Sequence, residues 1–171
     1  MTRTRTLTTR IALLATLVAG LSTFAPSAAQ AEGSRAGLST VAPAPARTGA
    51  LTPRARMYQV TNTSRTTFGV RRVGIHYRMS QLARQHSIAM ANRGYIFHTA
   101  NPAAFYLRGT TWRTWGENVG VTSSTVGSIQ RAFMNSPPHR SNILNRGFHR
   151  VAIGTYRDTN GYLWVTVFFY G

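Results

Sequence analysis

The sequence predicts a mixed α+β domain, and three observations carry that prediction. Met79, Leu82, Ala83, His86, Ala89 and Met90 recur at three- and four-residue spacing, the period of one helix face. Val126, Ile129 and Phe133 repeat that period further along. Two runs rich in β-branched and aromatic residues, 148–156 and 162–170, flank Asp158-Thr159-Asn160-Gly161, a turn signal, and predict a hairpin at the centre of a sheet. No internal repeat interrupts the order helix, helix, long loop, helix, strand, strand.

Taken from the start, residues 1–31 predict a secretory signal peptide. Arg3, Arg5 and Arg10 precede the apolar run 11–25, and Ala29-Gln30-Ala31 supplies a small-x-small cleavage site. The apolar run is shorter than the roughly 20 residues that span a bilayer. No cysteine follows it, which excludes a lipoprotein anchor. Export is the expectation, with a mature chain beginning at Glu32. Residues 32–56 are rich in Ala, Pro, Gly and Thr, carry four arginines and lack a period, so they predict a basic linker or a wall-binding tail. The folded domain is expected over 57–171.

Its first helix is expected to include 58–65 and to be broken by Gly69. The second runs from Arg78 to Arg93, capped by Gly94. His86 lies on the apolar face, where a histidine is a buried packing residue more often than a ligand. Residues 99–115 predict an irregular stretch. Trp112 and Trp115, at its end, either line a groove or pack the loop. Ser123, Ser124 or Thr125 caps the third helix, which Pro137 and Pro138 terminate because proline lacks the amide proton and clashes with the preceding turn. His139 is thereby held at a rigid corner.

Twenty arginines and no lysine stand against Glu32, Glu117 and Asp158, for a formal net charge of +17. That charge favours polyanions: acidic wall polymers, anionic lipid head groups or nucleic acid. The arginines are scattered, with neither a basic helix nor a stacking platform, which argues against a dedicated nucleic-acid site. The absence of cysteine excludes disulfides, thiolate metal sites and cysteine nucleophiles.

Three segments carry candidate chemistry: Tyr95-Ile96-Phe97-His98-Thr99, Gly116-Glu117-Asn118-Val119-Gly120, and Asn135-Ser136-Pro137-Pro138-His139. If they converge, His98, Glu117 and His139 offer two imidazoles and a carboxylate, a set suited to Zn²⁺ with water in the fourth position. The alternative is structural, with Glu117, Asn118 and Asn142 locking a loop and His139 pinning the corner. A Ser136–His139–Glu117 hydrolase set can also be drawn, but no Gly-x-Ser-x-Gly elbow or Ser-x-x-Lys motif supports it.

With "QLARQHSIAMANRGYIFHT", "GENVG", "FMNSPPHRSNIL" and "VAIGTY…GYLWVTVFF" in order over 57–171, the chain resembles the CAP superfamily of cysteine-rich secretory, antigen 5 and pathogenesis-related-1 proteins, in a bacterial cysteine-free form. The resemblance implies a three-layer α-β-α sandwich with a central antiparallel sheet. It also implies a cavity tetrad of two histidines and two glutamates, matched here by His98, Glu117 and His139, with Ser136 where the second glutamate falls. Asn62 and Arg65 match the family's first-helix Asn-x-x-Arg, and His76 stands where family members often carry an aspartate at a helix start, which implies a surface position. The function implied is extracellular binding of a lipid, wall polymer or protein through that cavity, or, alternatively, metal-assisted hydrolysis there.

Overall fold

The computed structural model describes residues 49–171. The expected signal peptide and most of the expected linker lie outside the described residues. The elements run α1 (Pro53–Thr67), β1 (Gly74–Ile75), α2 (Tyr77–Arg93), α3 (Pro102–Tyr106), β2 (Trp115–Thr122), α4 (Val126–Asn135), α5 (Pro137–Leu144), β3 (Arg150–Arg157) and β4 (Leu163–Tyr170).

The sheet order is β1-β3-β4-β2. β2, β4 and β3 are antiparallel, with Glu117 opposite Phe168 and Ile153 opposite Val167. The two-residue β1 joins the edge of β3 in parallel. The expected hairpin is β3–β4, and it occupies the two inner positions. Asp158 closes it. Its Oδ1 accepts from the Asn160 and Tyr162 amides and its Oδ2 from Trp164 Nε1.

β4 shows why the sheet has a helical layer on each face. All eight of its residues are buried, and they alternate. Leu163, Val165, Val167 and Phe169 pack with Met57 of α1, Ile129 and Phe133 of α4, and Ile143 of α5. On the other face Phe168 and Tyr170 pack with Met79 and Ala83 of α2 and Tyr106 of α3. A strand apolar on both faces is stable only between two layers, and each fully buried side chain of this size contributes about 1.5–3 kcal/mol. The layers are α2 and α3 on one side and α1, α4 and α5 on the other. At Gly154 of β3, an added Cβ would overlap the Ala83 backbone, so glycine is what lets α2 lie directly on the sheet.

Several local expectations hold. Gly94 caps α2 in the left-handed conformation, φ 73°, and Thr125 caps α4. Others are corrected. α1 begins at Pro53, because Thr52-Pro53 supplies a capping hydroxyl and a proline in the first helical position, which draws the end of the expected linker into the helix. Pro137 and Pro138 do end α4, but they also open α5, so His139 sits in the first turn of a new helix rather than at a bare corner. His76 caps α2, its Nδ1 accepting from the Met79 amide. The Gly-Glu-Asn segment is strand, not loop.

Asn62 and Arg65 fix α1. The Asn62 side chain bonds both the amide and the carbonyl of Val73 and is fully buried. Arg65 is fully buried without a carboxylate. It donates to the carbonyls of Arg71, Ile143, Asn145 and Phe148, so one guanidinium holds α1 to the C-terminal end of α5. Those carbonyls include ones a helix end leaves unpaired, and their partial negative charge suits a cation.

Candidate functional site

β2 is an edge strand, and its alternation sends consecutive residues to opposite layers. Val119 faces α2, packing with Met90. Gly120 faces α4, beneath Ile129 and Phe133. Glu117 shares the face of Val119, and Asn118 that of Gly120.

Every lone-pair direction of the buried Glu117 carboxylate is engaged. Oε1 accepts from His98 Nδ1 at 2.9 Å and from the Thr99 amide at 2.9 Å. Oε2 accepts from Thr99 Oγ1 at 2.7 Å and Tyr106 Oη at 3.3 Å. A carboxylate only accepts, so the His98 proton is assigned to Nδ1, and Nε2 of the neutral ring is left as an acceptor. The His98 side chain is 62% exposed while that of Glu117 is 2% exposed. Burial first, and then the Glu117 charge, raise the Tyr106 hydroxyl well above its ordinary range, so it remains a donor.

On the other side of β2, Asn118 Nδ2 donates to the His139 carbonyl, and Asn142 Nδ2 donates to Asn118 Oδ1 and the Glu117 carbonyl. These bonds tie α5 to the strand. At Gly116 a Cβ would press on Asn142 Oδ1, which accounts for glycine before the glutamate. His139 Nδ1 lies 2.8 Å from Ser136 Oγ, and its ring packs on Phe133 with centroids 5.0 Å apart. Burial lowers its pKa, and the nearby His98 lowers it further.

The structure therefore forms two pairs rather than one cluster: His98 with Glu117, and His139 with Ser136. Among the described residues no group of three or more His, Cys, Asp or Glu is placed to hold a metal ion. Four protein donors already meet the two oxygens of Glu117, so the expected Zn²⁺ set of His98, Glu117 and His139 would include the carboxylate only by giving up some of those bonds. The Ser136–His139–Glu117 set is not formed: the carboxylate orients His98, and none orients His139.

A cleft of about 330 Å³ opens beside the first pair, lined by His98, Thr99, Pro102, Trp115, Glu117 and Asn142. Trp115, left open between groove and packing, does both. It stacks on Phe168 and is 41% exposed. Sequence reasoning missed Tyr106 and the part played by Thr99. A hydroxyl directly after a candidate histidine was a usable signal for Thr99. A lone tyrosine in an irregular stretch gave none for Tyr106. His86 is buried as expected, with Nδ1 bonded to Thr166 Oγ1 and the ring edge-on to Phe97, but its Nε2 has no partner among the described residues. Burial lowers its pKa.

The sequence matches the model of the cysteine-rich secretory protein family, CAP, over residues 58–169. YkwD, an uncharacterized protein of Bacillus subtilis strain 168, is 29% identical over 118 residues, which are 66% of this chain and 45% of YkwD; the chain thus spans less than half of that relative. An outer surface protein from Borrelia burgdorferi superposes with a TM-score of 0.62 at 15% identity, covering 69% of this chain and 91% of that one. An extracellular protein containing a SCP domain from Bacillus anthracis gives 0.60 at 21% identity, covering 72% and 45%. A cysteine-rich secretory protein from Staphylococcus aureus gives 0.58 at 23%, covering 69% and 38%. At these identities the structural likeness concerns the fold. The ordered motifs, the sandwich and the match over 58–169 agree: this cysteine-free chain belongs to the cysteine-rich secretory protein, or CAP, family.

Proposed function

We propose that the protein is an exported binding protein of the cell exterior, and that its cleft beside His98 takes the repeating unit of an anionic, hydroxyl-bearing wall polymer. The observation that carries this reading is the saturated Glu117 carboxylate. It is spent on holding His98, so the carboxylate itself is not free to act as a base, and the cleft offers recognition groups. His98 Nε2 accepts from a ligand hydroxyl, Asn142 lines the cleft beside it, and the exposed face of Trp115 suits the C–H face of a sugar or polyol. The excess of arginine favours a polyanion and speeds encounter with one. Export rests on the three-part N-terminus at 1–31, with a linker at 32–56. Two of the similar proteins, one an outer surface protein and one extracellular, support it. Among the described residues no helix is long and apolar enough to cross a membrane.

The test is co-sedimentation with insoluble anionic wall polymer, using heparin as a polyanion of unrelated repeat. Wild type should prefer the wall polymer, and His98→Ala and Trp115→Ala should each abolish the preference. Equal binding of all three proteins to both polymers, lost in parallel with added salt, would sink the reading and leave only non-specific charge.

The 2.8 Å Ser136 Oγ–His139 Nδ1 contact favours hydrolysis as a second reading. Turnover of an activated ester that survives chelation and disappears in Ser136→Ala would support it; turnover lost on chelation would instead bring back the metal-assisted form.

A further inference from the structure

A second cavity, of about 500 Å³, lies beside Tyr106, lined by the first turns of α2, the end of α3 and the loop that follows. It is larger than the His98 cleft and falls within the usual range of small-molecule pockets, about 300–1,000 Å³. Its lining divides by chemistry. Met79 and Tyr106, both buried, with Leu82 and Phe105, make an apolar wall. Arg78 and Arg108, from different elements, one on α2 and one on the loop after α3, also line it.

The polar part of this lining consists largely of donors. The only ion pair among the described residues is His98–Glu117, so neither arginine has a carboxylate partner there. His76 lines the same cavity. Because its Nδ1 accepts from the Met79 amide, the neutral ring carries its proton on Nε2 and presents a donor. Two exposed guanidiniums without carboxylate partners, beside an apolar wall, favour an anion there. Planar guanidinium forks match the oxygens of phosphate and carboxylate.

We propose that this cavity is a second binding site, and that it takes a small organic anion: a phosphate or carboxylate group on an apolar body. The head sits between Arg78 and Arg108, and the body lies against Leu82, Phe105 and the ring of Tyr106. The site is separate from the His98 cleft and does not rest on the polymer reading. Tyr106 links it to that cleft, through the hydroxyl it donates to Glu117.

The experiment is titration of the full chain with phenyl phosphate, benzoate and inorganic phosphate, followed by calorimetry and by the amide resonances of residues 104–110. Phenyl phosphate or benzoate should bind more tightly than inorganic phosphate, and the comparison of the first two identifies the head group. Arg78→Gln and Arg108→Gln should each weaken the aryl ligand by about tenfold, the scale of one charge-assisted hydrogen bond. His98→Ala and Arg131→Gln, the latter on the distant α4, should leave it unchanged. Two outcomes overturn the proposal. In one, Arg131→Gln weakens binding as much as Arg78→Gln, and the effect is general charge. In the other, inorganic phosphate binds as tightly as phenyl phosphate, and the apolar wall takes no part. Leu82→Asn keeps the arginines and leaves the buried core side chains intact. It should weaken phenyl phosphate and spare inorganic phosphate.

Discussion

Arg65 and Glu117 are both buried charges, and the protein treats them alike up to a point. Arg65 makes four bonds to carbonyls, and Glu117 accepts four, three from side chains and one from an amide. Neither has a formal counter-ion while the histidine is neutral. The difference lies in the partners. Those of Arg65 are backbone carbonyls, one in the loop after α1 and three in α5 and the segment that follows it. One partner of Glu117 is a histidine that stands 62% exposed in an open cleft. The same device, a buried charge whose hydrogen bonds are complete, therefore holds the fold in one place and aims a side chain at solvent in the other.

Breaking the two sites separates these roles. Arg65→Leu carries the largest expected effect. It leaves four carbonyls without their donor and should cost roughly 3–5 kcal/mol, enough to unfold a marginal domain. Denaturant unfolding checks it, and a loss under about 1 kcal/mol would show that water replaces the guanidinium without penalty. Glu117→Gln should cost less, about 2 kcal/mol, since the amide nitrogen meets donors where an oxygen stood. Its specific signature is in His98. Nitrogen-15 NMR should find the ring protonated at Nδ1 in wild type and as a tautomer mixture in the variant. An unchanged tautomer would mean that Glu117 does not orient the ring.

The smallest expected effect concerns pH. His86 and His139 have pKa values lowered in the folded chain, chiefly by burial. Below about 6.5, the unperturbed histidine value, the unfolded chain takes up protons that the folded chain declines. Stability should thus fall as pH drops from 7.5 toward 5, and level off below the folded values. Each histidine contributes at most about 1.4 kcal/mol per pH unit within its window. Melting temperature against pH measures this, and His86→Leu should flatten the curve. A curve already flat in wild type would mean both rings protonate freely in the fold.

Much of the architecture was legible because periodicity is local. Met79, Ala83, His86 and Met90 announce a helix face, and Asp158 to Gly161 announce the turn that centres the sheet. The capping of α4 and α2 follows from single residues. β2 was not legible: Gly116 and Gly120 lack the side chains that mark a strand, and their reason lies in what packs over them, Asn142 at one and Ile129 and Phe133 at the other. α3 and α5 escaped for a related reason. Each opens on proline, which reads as a stop for one helix as readily as a start for the next.

The sequence by itself determined the family, the α+β class, the cationic excess and the identity of His98, Glu117 and His139 as residues of interest. It also determined that no thiol chemistry takes part. Pairing was decided by tertiary structure alone. Glu117 could have served His139 or a metal ion, and nothing in the spacing of 98, 117 and 139 chooses among these. The choice is made by the pleat of β2, which turns Glu117 toward the α2–α3 layer and Asn118 toward α5, so that the carboxylate meets His98, Thr99 and Tyr106 while His139 meets Ser136. Alternation along a strand is a local rule, but which layer stands on which face is set by the packing of α2 and α5 against the whole sheet.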